Sequence, residues 1–206
     1  MALENREGGQ YFTILNGKFC QRVPAETAGA IQRTNKNNKV VFEKFYDKFV
    51  GKFVSIATKD SAYGKSWVFA FKDQKEVYHL QLNYSNSFAV ALLKMLPNID
   101  LSKPMTVSPS QKIEDGKTKS SLFIQQDGVN IKHAFTKDNP NGLPQMKQIK
   151  VKGQMVWDDT DRMLFLENMV NSKIRPQLTE KVSALPAEGS DLNVDDMPDA
   201  KDDNEF

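Results

Sequence analysis

The segment Ser66 to Lys72 places Trp67, Phe69 and Phe71 at alternate positions. In a strand, alternate residues share one face, so these rings would form a single aromatic surface. Such a surface can stack on flat partners, and beside cations it suits a chain that alternates bases and phosphates. The cations are there in sequence. Lys65 precedes Trp67, Lys72 and Lys75 follow Phe71, Lys18 and Arg22 flank Phe19, and Lys44 and Lys48 lie beside Phe45 and Phe49. Trp67 is the first choice for a stacking platform, because tryptophan seldom buries completely. Phe69 and Phe71 fit either a platform or a core. In Glu76 to Tyr84, Leu80 and Leu82 turn one face inward, with Tyr78 and Tyr84 at its ends. His79, Gln81 and Asn83 are then expected outward, in reach of phosphate, sugar or base. Phe123, between polar neighbours, reads as a second platform or as a ring covered by a loop or partner. Lys132 points out beside Asn130 and Thr136. The expected nucleic-acid contacts are therefore Trp67, Phe69, Phe71, Lys65, Lys72, Lys75, His79, Gln81, Phe123, Lys132 and Arg22.

Other chemistries lack parts. The chain has two histidines and one cysteine, and no phosphate-binding glycine loop. Asp158, Asp159 and Asp161 before Arg162 suit the positive end of a helix better than a magnesium site. Neither enzymatic activity, a catalytic residue, a cofactor nor a metal is expected. A lone Cys20 excludes an intrachain disulfide and reads as a buried small hydrophobe. The polar opening, Met1 to Gln10, is unlike a signal peptide. No apolar run reaches the ~20 residues of a membrane span. A soluble, cytoplasmic protein is expected.

The formal charge of +2 conceals an asymmetry. Ala187 to Phe206 holds eight acids and one base, a net −7, which leaves +9 on the preceding residues. A basic body with an acidic interaction tail follows. Residues 1–181 are read as one nucleic-acid-binding domain. Residues 182–206 are read as a flexible acidic tail, because they have little to bury.

The elements that must position these residues are mostly strands. Tyr11 to Leu15 and Lys18 to Val23 flank Asn16-Gly17, a strong hairpin signal. Pro24 to Lys39 is poor in large apolar groups, and Thr34 to Lys39 within it reads as an exposed, mobile, basic loop. Val40 to Phe49 is ambiguous: Phe42, Phe45, Tyr46 and Phe49 are spaced as one face of a short helix, the reading favoured here, while Val40-Val41-Phe42 alone fits a strand. Lys52 to Lys59, Ser66 to Lys72 and Glu76 to Tyr84 form a meander. Ser87 to Leu96 reads as a helix capped by Asn86 or Ser87 and ended by Pro97. Met105 to Ser108, Ser120 to Gln125, Val129 to Phe135 and part of Gln148 to Trp157 add strands, and Thr160 to Asn171 a second helix. The expected fold is mainly β: an OB-fold-like five-stranded barrel with insertions and two or three short helices.

The end of the chain, Asp195-Asp196-Met197-Pro198-Asp199-Ala200-Lys201-Asp202-Asp203-Asn204-Glu205-Phe206, resembles the acidic tails of bacteriophage OB-fold single-stranded DNA-binding proteins. Bacterial proteins of that role close on Pro-Phe. Here Glu205 precedes Phe206, which leans toward the phage type. The resemblance implies a protein of replication, recombination and repair that coats single-stranded DNA without sequence preference. It also implies a tail, with Asp199, Asp202, Asp203, Glu205 and Phe206, that recruits a polymerase, helicase or primase, competes with DNA for the groove, and takes part in a possible homodimer. Two other readings stand beside it: an RNA-binding or chaperone protein, and a structural or interaction protein whose tail binds a basic partner.

Overall fold

The computed structural model describes residues 10–35, 37–74 and 76–178. Its strands are β1 (Gln10–Leu15), β2 (Lys18–Arg22), β3 (Ile31–Thr34), β4 (Val40–Tyr46), β5 (Phe49–Ser61), β6 (Gly64–Lys72), β7 (Val77–Asn83), β8 (Pro104–Glu114), β9 (Lys117–Gln126), β10 (Val129–Asn130), β11 (Lys147–Val151) and β12 (Gln154–Asp158). Two helices, α1 (Ser87–Met95) and α2 (Thr160–Met169), complete the regular structure with short π- and 3-10-helical turns. Ten strands form one sheet in the order β10-β9-β8-β5-β6-β7-β1-β2-β4-β3, and β11 and β12 form a separate pair. The large sheet is mixed, because β1 runs parallel to β7 while the other pairs are antiparallel.

This architecture replaces the expected five-stranded OB barrel. The sheet is open, with β3 at one edge and β10 at the other. It does curl strongly. The β1–β2 turn at Gly17 reaches β8, where an added Cβ would lie 2.4 Å from the Gln111 amide nitrogen. Asn16 and Gly17 both take positive φ, 52° and 72°, the hairpin turn that Asn-Gly favours. Yet no hydrogen-bonded ladder joins β2 to β8 among the described strands, so the curl stops short of closure. The long β5 shares this bending, with a register shift between Phe53 and Ser55 in its pairing with β6.

Three segments depart from expectation for local reasons. Val40 to Phe49 is not helical. β4 lies between β2 and β3, and its backbone groups pair on both sides. Glu43 is buried there by a two-pronged bond from Arg33, at 2.8 and 2.7 Å. Between Pro24 and the Thr34 to Lys39 loop lies a strand that was not anticipated, β3, an edge strand paired among the described residues with β4. The strand expected from Val129 to Phe135 ends at Asn130. Beyond it the chain drops onto α1: the Ala134 amide donates to the Lys94 carbonyl at 2.8 Å, and Asn98 Nδ2 donates to the Lys132 carbonyl at 2.9 Å. The first helix begins as its cap residue dictates, with Asn86 Oδ1 accepting from the Phe88 amide at 2.9 Å.

The core lies on the concave face of the sheet. A chain of ring contacts runs through it: Phe49–Phe71 at 5.2 Å, Phe71–Phe53 at 5.4 Å, Phe53–Phe69 at 6.5 Å, Phe69–Trp67 at 6.1 Å and Trp67–Tyr84 at 5.4 Å. Trp67 and Phe69 have no exposed surface. The aromatic face of β6 is therefore the inner face, against the expectation that Trp67 lies open. We predict that Trp67→Ala lowers unfolding free energy by about 3–5 kcal/mol, the cost of emptying a large buried ring. Equilibrium urea denaturation measures it, and a loss under about 1 kcal/mol would place Trp67 outside the core.

Candidate binding groove

Strand β7 shows where the curled sheet is closed and where it is open. Its inner face carries Tyr78, Leu80 and Leu82, and Tyr84 follows the strand. At the Tyr84 end α2 covers the core. The Tyr84 hydroxyl donates to Glu167 Oε2 at 2.5 Å, Lys65 Nζ reaches both Glu167 oxygens at 2.8 Å, and Lys65 also sits 4.6 Å from the Tyr84 ring centre. At the Tyr78 end no described helix intervenes, and a cavity of about 300 Å³ opens. Phe12, Phe19, Tyr46, Phe49, Phe71, Tyr78 and Leu80 form its walls and floor, with Gln10, Lys48, Val50 and Asp73 among its lining.

Each ring comes from a different strand or from a strand start, and all are half-buried except the buried Phe19 and Phe71. Phe12 lies edge-on to Tyr46 at 5.8 Å and tilted to Tyr78 at 5.9 Å. Tyr78 meets Phe49 at 5.1 Å. These contacts join the groove to the buried ring chain through Phe49 and Phe71. Polar bonds fix the tyrosine orientations. Tyr78 donates to Asp73 Oδ2 at 2.9 Å, and burial together with this bond pushes its hydroxyl up to about 12. Tyr46 donates to Gln21 at 3.1 Å, Gln21 to Gln10 at 3.0 Å, and Gln10 to Glu76. Burial also raises the Tyr46 hydroxyl, so both phenols stay neutral at ordinary pH.

Gly51 lets Phe49 reach this place. An added Cβ would lie 2.6 Å from two Phe49 ring carbons and 2.8 Å from the Lys72 carbonyl oxygen. Next to the groove, a more open hollow shares Val50, Asp73 and Tyr78 with it and adds Lys52, Lys72, Gln74, Glu76 and Pro104. Lys44 Nζ lies 5.7 Å from the Tyr46 ring centre. The site thus joins ring faces to a lysine-bearing rim.

The residues singled out from sequence are scattered. Trp67 and Phe69 are core, and Phe71 is the groove floor. Lys65 is engaged by Glu167. Lys72 borders the open hollow. His79 and Gln81, expected outward, are buried. The His79 ring stacks on Tyr11 at 4.9 Å, and Gln81 donates to Ser66 Oγ at 3.3 Å. Arg22 is half-buried and pairs in register with Glu43. Lys132 is exposed beside α1. Phe123 is 52% exposed. It shares a face with Gln125, and the row Val50–Thr106–Gln125 ties that face to the groove rim. Lys75 and the tail residues Asp199, Asp202, Asp203, Glu205 and Phe206 lie outside the described residues. The groove rings absent from the expected contacts include Phe12, Tyr46, Phe49 and Tyr78. Their spacing in sequence gives no sign that they converge, and Gly51 after Phe49 is the single local cue.

Compared with known protein families, curated proteins and solved structures, the chain finds no match in any of the three. The open ten-stranded mixed sheet overturns the resemblance to bacteriophage OB-fold single-stranded DNA-binding proteins. The mechanism of coating DNA along a barrel face loses its basis, since the barrel is absent and Trp67 is in the core.

Two stability effects follow. Gly51→Ala should displace Phe49 and destabilise the fold by about 1–3 kcal/mol, as overpacking does; an unchanged melting temperature would show that the ring yields freely. Burial lowers the proton affinity of His79 and His133, with Lys94 adding to the effect at His133. The unfolded chain then binds more protons than the folded one as pH falls through the ordinary histidine value of about 6.5. Stability present above that pH should decline below it, and His79→Gln with His133→Gln should flatten this part of a denaturation-versus-pH curve.

Proposed function

We propose that this chain is a non-catalytic binding protein whose groove accepts flat rings borne on an anionic chain, a short single-stranded nucleic-acid segment being the partner of that chemistry. The observation that supports it is the convergence of Phe12, Tyr46, Phe49 and Tyr78 on one open cavity with Lys48 beside them. Half-buried rings held by neighbours give stacking surfaces at little entropic cost. Lysines at Lys48, Lys52 and Lys72 supply a positive border for phosphates. A volume of about 300 Å³ suits one or two inserted bases, at the small end of ligand pockets. This is local insertion with the chain crossing the rim. The ring-and-charge chemistry does not select DNA over RNA.

No described helix is long and apolar enough to cross a membrane. A cytoplasmic site of action is part of the proposal.

Fluorescence anisotropy of a labelled short oligothymidylate tests the reading. Tyr78→Ala should weaken binding by about 1–3 kcal/mol, the usual worth of one stacked base. Lys48→Glu, at the rim, should weaken it too while leaving the melting temperature unchanged. Log affinity should fall with log salt at roughly −0.7 per phosphate engaged. Absence of binding at low salt, or full affinity in both variants, would overturn the groove as a nucleic-acid site.

A further inference from the structure

The β11–β12 pair is a hairpin without a sheet. Its strands pair only with each other among the described residues. Such an isolated two-stranded unit is marginal in water and gains from a third strand. Yet Met155 is 60% exposed and Trp157 42%, and Ile149, Val151 and Val156 are also open. The apolar residues sit on both faces, since Ile149 pairs with Val156 and Gln148 with Trp157. The two outer edges differ. β11 carries Lys147 and Lys150, and edge lysines discourage strand addition. β12 reads Gln-Met-Val-Trp-Asp, with no base in it.

We propose that β12 is a self-pairing edge, through which two copies of this chain join their hairpins into one four-stranded antiparallel sheet centred on Val156. Two-fold symmetry makes any such contact reciprocal. With Val156 opposite Val156 of the partner subunit, Met155 meets Trp157 of the partner subunit, and Gln154 meets Asp158 of the partner subunit. Met155 and Trp157 from both copies then share one face and cover each other. The charge pattern favours this register. The hairpin is basic at its tip, with Lys152, and acidic at its base, with Asp158 and Asp159. Antiparallel pairing brings the Lys152 tip of each copy beside the Asp159 base of the other. Pairing through β11 would instead set Lys147 and Lys150 of two copies together, which like charges oppose. No residue of β11 or β12 lines the groove or the hollow beside it, so the proposal is independent of what the groove binds.

Sedimentation of the full-length protein over a wide concentration range tests it. The wild type should form a dimer. Val156→Lys sets two lysines opposite each other at the symmetry centre and should abolish the dimer, with the melting temperature of the monomer retained. Val156→Cys should give a covalent dimer on mild oxidation, because its symmetry mate lies directly opposite, while the native Cys20 is buried. Met155→Cys should cross-link poorly, because it faces Trp157 of the partner subunit. A wild type that stays monomeric at the highest concentration overturns the proposal. So does a dimer that survives Val156→Lys, or one lost with Ile149→Lys and kept with Val156→Lys. Loss of oligonucleotide binding in Val156→Lys, from a protein monomeric throughout, would assign the hairpin to another partner and equally overturn it.

Discussion

The contact of ring with ring along the concave face of the sheet is what the remaining structure depends on. From Trp67 through Phe69, Phe53 and Phe71 to Phe49 the rings meet at 5.2–6.5 Å, distances at which tilted and offset pairs attract beyond simple burial. Phe49 then passes the chain to Tyr78 and Phe12. Strand twist and a bulge in β5 curl the sheet around these rings. The approach of the Gly17 turn to β8 is the backbone consequence of that curl. The same ring chain is core at one end and groove at the other, and what separates the two is only which end a helix covers.

That division assigns roles to the charged residues. At the covered end, Lys65 and Glu167 form a part-buried pair that also holds the Tyr84 hydroxyl, so the cation there serves the fold. At the open end, Asp73 and the Gln10–Gln21–Tyr46 bonds set the tilt of the rings, and Lys48 stands at the border with no described helix over it. A ligand entering there meets oriented apolar surface first and positive charge at its margin.

The sequence made the local elements legible. Hairpin turns at Asn16-Gly17, Asp115-Gly116 and Asp127-Gly128 adopt positive φ as their residue types require, and the Asn86 cap starts α1. The inward face of β7 was also readable from Leu80 and Leu82. What failed was inference across strands. Trp67 was expected outward because tryptophan seldom buries completely, although Phe69 on the same face and Leu82 opposite it both belong to the core. His79 and Gln81 seemed surface residues because they are polar, yet Tyr11 stacks over His79 from a parallel strand whose pairing no local signal announces. The spacing of Phe42, Phe45 and Tyr46 matched a helix because period 3.6 and period 2 overlap in a short segment. Two flanking strands decided the matter. The groove was hidden for the same reason: its walls come from β1, β2, β4, β5, β6 and β7 together.

Tyrosine side-chain NMR during titration with a short oligothymidylate tests most directly whether the open end of the ring chain is the ligand site. The account predicts that the ring resonances of Tyr46 and Tyr78 shift together and saturate, while those of Tyr84 and the Trp67 indole, under α2 and in the core, stay in place. Saturable shifts confined to Tyr63 or the Trp157 indole, with Tyr46 and Tyr78 unmoved, would contradict it.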